Sequence, residues 1–232
     1  MTKFLDRVFV WLGGALFVAS LALTGWAYTL WFGQSRPWSG WQAVVLDALL
    51  LMGFGLHHSI FARASVKAAL AAFVPDRLLR SVYVWTASLL LAAVCVAWQT
   101  VGGDVYVTTS TWARAAHAVV QLAGVWLIAR SVAAIDALEL AGIRVSQPAA
   151  TRASLQVSGP YRLVRHPLYL GWVLVVFGTS HLTGDRLAFG AITTAYLVIA
   201  IPWEERSLTQ TFGDEYRRYT QHVRWKLVPF VY

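Results

Sequence analysis

The sequence predicts an all-α integral membrane protein, on three observations. Of the 232 residues, 58% are hydrophobic and 13% charged, about half the charged share of soluble proteins. The apolar residues gather into six runs of roughly helix-spanning length, and the basic residues alternate between the connections. A mean hydropathy of +0.57 and 12 Trp agree, because Trp favours the membrane interface, where an apolar ring meets a wet edge. The one cysteine, Cys95, excludes an intramolecular disulfide and any multi-cysteine metal centre. A net charge of +8 suits nucleic acid in principle. Here, however, the cations form short clusters between apolar runs, so membrane lipids with anionic headgroups are the expected partner and nucleic acid is not.

The apolar runs cover about residues 8–32, 41–61, 81–99, 115–135, 167–183 and 187–203. The first is too long for a signal-peptide core and is expected to be retained. The second carries Asp47 toward one end and His57 and His58 at the other, with Asp47 expected in structural hydrogen bonding. The fourth holds Arg130 about a turn from its end. An ionisable residue at that depth is a functional candidate, although a side chain snorkelling to the interface accounts for it equally. The last two runs are short against the roughly 20 residues a bilayer needs, and they are expected to form a short hairpin reaching into the interface. Fifteen Lys and Arg fall on one side of the six runs and three on the other, which predicts both termini in the cytoplasm.

The polar residues that remain concentrate at two places on that same side. SGPYRLVRHPLYLG (Ser158 to Gly171) leads into the fifth run. Pro167 suits the first helical position and His166 the cap. The free N–H groups of the first turn, with Arg162 and Arg165, favour a carboxylate or phosphate. Alternatively these arginines simply touch lipid phosphates. Beyond the sixth run, Glu204 and Glu205 form an acidic pair near the headgroups, followed by Leu208, Phe212, Tyr216 and Tyr219 at helical spacing. The pair either salt-bridges Arg206 or Arg162 on an interfacial helix or receives a cationic or hydroxyl-bearing ligand. A molecule with both a carboxylate and a cation satisfies both segments at once.

Gly159, Pro160, Tyr161, Arg162, Arg165, His166, Pro167, Tyr169 and Gly171, followed by Glu204, Glu205, Leu208, Phe212, Gly213, Tyr216 and Tyr219, resemble the paired motifs of the integral-membrane methyltransferases. That group includes isoprenylcysteine carboxyl methyltransferases, phospholipid methyltransferases and bacterial methanethiol S-methyltransferases. The resemblance covers roughly residues 155–226 and implies S-adenosyl-L-methionine as cofactor. It implies Tyr161, Arg165, His166, Pro167, Tyr169, Gly171, Glu204, Glu205, Leu208 and Tyr216 as its binding residues. LLLMGFGLHHSIFAR, with His57, His58, Ser59 and Arg63, is similar to the second span of the methanethiol S-methyltransferase subgroup, which implies a bacterial inner membrane. AIDALELAG (Ala134 to Gly142) departs from the Asn-His pair of the thiol enzymes, and leaves the acceptor open between a small thiol and a lipophilic carboxylate or lipid.

On that resemblance, residues 1–135 are expected to wall an acceptor tunnel and residues 136–232 to form the methyltransferase core, the two making one structural unit. Methyl transfer is an in-line displacement, so the protein must align donor and nucleophile and keep water out. Arg165, Glu205, His57, His58 and Arg130 are the candidate catalytic residues. The histidines would take the proton of a thiol, and an arginine would position a carboxylate. A rival reading is a haem-binding or electron-transfer protein, since several His lie on helices. Another is a transporter relaying protons through Asp47 and Arg130.

Overall fold

A computed structural model describes residues 2–61, 63–135, 138, 141–143 and 155–232. Helix α1 is Thr2–Trp26, continued by a π-helical turn, Ala27–Trp31; α2 is Trp41–Phe61, α3 Ala64–Ala71 and α4 Asp76–Ala97. Strand β1 (Asp104–Val107) precedes α5 (Thr111–Ile135). A 3-10 turn, Gly159–Arg162, leads to α6 (Pro167–Phe177), β2 (His181–Thr183), α7 (Gly184–Phe212) and α8 (Asp214–His222). The strands β1 and β2 pair as a two-stranded sheet. Five helical stretches, Phe4–Trp31, Trp41–Phe61, Asp76–Ala97, Thr111–Ala134 and Gly184–Phe212, are long and apolar enough to cross a membrane, and Pro167–Phe177 is a shorter apolar helix. Their outward surfaces expose large apolar side chains such as Trp11, Leu46, Leu122 and Trp126. Water would not tolerate so much of this surface, but lipid does. The chain is an integral membrane protein of the all-α class.

Two expected boundaries move. The run at 167–183 is helical only to Phe177, where Gly178 closes the helix and the polar Thr179–Ser180 step turns the chain into β2. The run at 187–203 does not stop short. Its helix extends from Gly184 to Phe212 through Pro202, so Glu204 and Glu205 stand inside α7 and not beyond its end. Proline removes one helical hydrogen bond, yet the helix continues beyond it to Phe212.

The chain forms two compact units. The first comprises Met1–Gly103, Ala137–Ser146 and Thr183–Ala188. In it α1 and α2 pack on α4, with Phe9 and Trp85 stacked at 5.6 Å and the Trp85 indole donating to the Phe9 carbonyl at 3.0 Å. One end of the unit is closed by buried acids. Asp185 accepts from the Trp98 indole and from the N–H groups of Val101 and Gly102, and Asp47 accepts from the Gln99 N–H at 2.8 Å. Both side chains are fully buried; the bonds to Asp185 offset the cost of removing it from water, and the one to Asp47 does so in part, since Asp47 Oδ2 has no partner among the described residues. Asp47 thus has the structural role expected of it.

The second unit comprises Asp104–Asp136, Gln147–Leu182 and Phe189–Tyr232, so α5 belongs with the C-terminal segments. Helix α5 packs on α6 at a glycine crossing. A Cβ at Gly171 would lie 2.7 Å from the Gly124 carbonyl oxygen, and one at Gly124 equally close to that of Gly171. The two backbones therefore touch, as small residues allow in membrane helices. Helix α6 returns along α7 through the Trp172 indole, which donates to Thr193 Oγ1 at 3.0 Å. Pro167, buried at the first position of α6, starts that helix next to the residues of interest.

Candidate active site

Both motif segments meet in the second unit. Glu205, on α7, accepts from Arg165 Nε at 2.6 Å. His166 lies between the two acids, its Nε2 3.4 Å from Glu205 Oε1 and its Nδ1 3.5 Å from Glu204 Oε2. The Tyr169 hydroxyl donates to Glu204 Oε2 at 2.8 Å, and its ring stacks on the His166 imidazole at 5.4 Å. The spacing of the sequence produces this contact, because Tyr169 falls one turn after the cap residue His166, on the same face of α6. Glu204 and Glu205 are adjacent and fan around the imidazole from one turn of α7.

A carboxylate facing each imidazole nitrogen is a setting for the doubly protonated ring. Burial works against the imidazolium, but the hydrogen bonds and charges of Glu204 and Glu205 outweigh it and raise the His166 pKa above its ordinary value. The Tyr161 phenol is pushed up too, first by burial and then by the Glu204 charge, so it stays protonated beside the cluster. Exposure differs across the group. The side chains of Arg165 and His166 are 8% and 5% exposed, that of Glu205 17% and that of Glu204 44%.

The floor is made by the C-terminal residues. Arg165 Nη1 donates to the carbonyls of Val223 and Arg224, each at 2.9 Å. The backbone N–H groups of Arg165 and His166 donate to the carbonyls of Trp225 and Lys226. Tyr219 donates to the Tyr161 carbonyl at 2.7 Å and joins Leu155, Tyr216 and Val223 in an apolar cluster against which Leu208 and Phe212 pack. Residues 223–226 escaped notice in the sequence because they act through main-chain carbonyls, which carry no residue signature. On the far side of Arg165 and Glu205 lies a cavity of about 690 Å³ between α7, α8 and this tail, with Tyr216 in its wall.

The other expected residues have surroundings of their own. Gly171 makes the α5–α6 crossing, and Arg162 is exposed. Arg130 is exposed on α5. His57 and His58 belong to the first unit, where the His57 ring stacks on Tyr83 at 5.4 Å and His58 Nδ1 lies 3.1 Å from the Tyr83 hydroxyl. His57 Nε2 is buried without a hydrogen-bond partner among the described residues. His117 Nδ1 lies 3.1 Å from the Gly178 carbonyl oxygen and His181 Nε2 lies 2.7 Å from Asp104 Oδ1. Most of AIDALELAG, and Arg144 and Arg152 of the basic count, lie outside the described residues.

Comparison with known proteins accords with this arrangement. The phospholipid methyltransferase family profile matches residues 112–215, which cover α5 from Trp112, the first motif segment, α7 and the second motif segment as far as Gly213. The chain is 30% identical to the methanethiol S-methyltransferase of Pseudomonas sp. (strain GM41(2012)), over 82% of this chain and 75% of that protein. It is 33% identical to the methanethiol S-methyltransferase of Mycobacterium tuberculosis, over 78% and 77%. A Nurim homolog of Drosophila melanogaster is 26% identical over 79% and 77%. No solved structure matches. With identity at this level over most of both chains, and with the two motif segments joined in one cluster, the chain belongs to the membrane methyltransferase family that includes the methanethiol S-methyltransferases.

Proposed function

We propose that the chain transfers a methyl group from S-adenosyl-L-methionine to a small thiol, with the donor held at the Arg165–His166–Tyr169–Glu204–Glu205 cluster. The observation that carries this reading is the chemistry of the groups left open there. Glu204 Oε2 is engaged by Tyr169, while its other oxygen has no hydrogen bond among the described residues and the side chain is 44% exposed. Arg165 spends Nε and Nη1, and its Nη2 has no hydrogen bond among the described residues. An acid and a guanidinium with capacity to spare, fixed in one network, suit the ammonium and carboxylate of an amino-acid end, so the residues fit the donor. Once bound, the donor supplies an electrophilic sulfonium methyl.

The protein's part is positional. The pairing with Glu205 and the accepting main-chain carbonyls of residues 223 and 224 hold the Arg165 guanidinium in one orientation, and Tyr161, Tyr169 and Leu208 offer apolar surface to the adenosine end. A thiol acceptor has to give up its proton. His57, with a buried and unpartnered Nε2, is the base this chain offers, and Arg130 is a second cation for an ionised acceptor. The small thiol is preferred because the relatives bear methanethiol in their names; a lipophilic carboxylate or lipid is the other acceptor class.

Incubating the purified protein with methyl-labelled donor and a panel of thiols, isoprenylcysteine analogues and lipids tests the reading. Label should move to a thiol, and label moving to none of the panel would reject it. Replacing His57 and His58 with Phe should lower turnover and leave donor affinity near wild type.

A further inference from the structure

The cavity between α7, α8 and the C-terminal tail is chemically unlike the donor cluster with which it shares a wall. Its lining includes four basic side chains, Arg165, Arg206, Arg217 and Lys226, and one acid, Glu205. Arg165 is neutralised by Glu205 and Arg217 is shared with Asp214 at the rim. Arg206 has neither ion pair nor hydrogen bond among the described residues, and Lys226 rests on the hydroxyl and ring of Tyr232. The surplus is cationic. S-adenosyl-L-methionine carries two positive groups and one negative, so a basic cavity is the wrong sign for it.

The second feature is Tyr216. It is 3% exposed, it lines the cavity, and its hydroxyl makes no geometrically formed hydrogen bond among the described residues, with the Glu205 carboxylate beside it. Burial, and after it the Glu205 charge, push this phenol far above its ordinary pKa, so the group is a fixed O–H donor. A buried donor whose hydrogen bond is unmade is unfavourable, and an acceptor entering the cavity would relieve it. Position supplies a third point. Trp203, 61% exposed, ends the apolar part of α7, and an exposed Trp there marks the headgroup level. The cavity lies at the same level, with Pro202 and Glu205 on either side of that tryptophan in its lining.

We propose that this cavity is an anion site for a phosphate group, received by the Tyr216 hydroxyl and by Arg206 and Lys226, beside the donor cluster with which it shares Arg165 and Glu205 as a wall. The group comes from the headgroup of an anionic lipid or from free phosphate. The site stands on charge and burial alone and does not depend on the methyl-transfer reading.

The full-length protein in a maltoside detergent, without methyl donor, should be titrated by calorimetry with inorganic phosphate and, separately, with dihexanoyl phosphatidylglycerol below its micelle concentration. Saturable binding of at least one probe is expected. Tyr216→Phe should weaken it about tenfold or more, the usual cost of losing a hydrogen bond to a charged group. Arg206→Gln combined with Lys226→Gln should weaken it comparably, and because these side chains are not in the core, that variant serves if Tyr216→Phe fails to fold. A lipid probe bound more than tenfold tighter than phosphate assigns the site to headgroups, and equal affinity assigns it to free phosphate. Absence of saturable binding by either probe, or affinity unmoved in the foldable variants, overturns the proposal. Donor affinity measured on the same sample reports on the donor cluster independently.

Discussion

At the residue scale, the protein depends on one shared charge centre. Arg165, His166, Glu204 and Glu205 neutralise one another in a partly buried setting, and removing one member leaves a charge without its partner. Arg165→Ala, His166→Ala and Glu205→Ala should each weaken S-adenosyl-L-methionine binding by about tenfold or more in calorimetry; unchanged affinity in all three would place the donor elsewhere. The pH dependence has a definite sign. The folded-state pKa of His166 is raised from its ordinary value near 6.5. The stability its imidazolium contributes is therefore complete below about pH 6.5 and is lost as pH rises through the raised value. Thermal unfolding of the wild type followed from pH 5.5 upward should show this loss, and His166→Gln should flatten that part of the profile. A variant profile parallel to the wild type would remove the imidazolium from the stability balance.

At the element scale, the α5–α6 pair rests on two glycines in mutual contact. Gly171→Ala places a methyl 2.7 Å from the Gly124 carbonyl oxygen, and backbone cannot move aside as a flexible side chain can. The helices must separate, so a loss of about 1–3 kcal/mol is expected, read as a lower midpoint in detergent-denaturant unfolding. Because α6 begins at Pro167, donor affinity should fall in the same variant. Gly25→Ala, with nothing within 4 Å of the added atom, is the control and should leave both unchanged. Helix α7 illustrates a different rule. Hydropathy ends near residue 203, where lipid contact would end, but helical hydrogen bonding continues to Phe212. The acidic pair thereby sits on a rigid helix, which holds its geometry better than a loop.

At the scale of the whole molecule, fifteen basic residues against three argue that both termini lie in the cytoplasm. Reporter fusions at each end should be active only in their cytoplasmic forms; a C-terminal periplasmic reporter that works would reverse the orientation. The six apolar runs were legible because lipid exposure demands long apolar helices, and each run corresponds to a helix. Membrane class and motif positions follow from residue type and order alone, since desolvation of the backbone and the chemistry of a donor set are properties of local composition. Tertiary structure alone decided that His166 stands between two acids, that Arg165 is shared between Glu205 and the carbonyls of residues 223 and 224, and that Tyr216 is a buried donor in a basic cavity. Those facts depend on which main-chain carbonyls and which helix faces meet across the fold. Main-chain groups are identical at every position, so no residue pattern announces them.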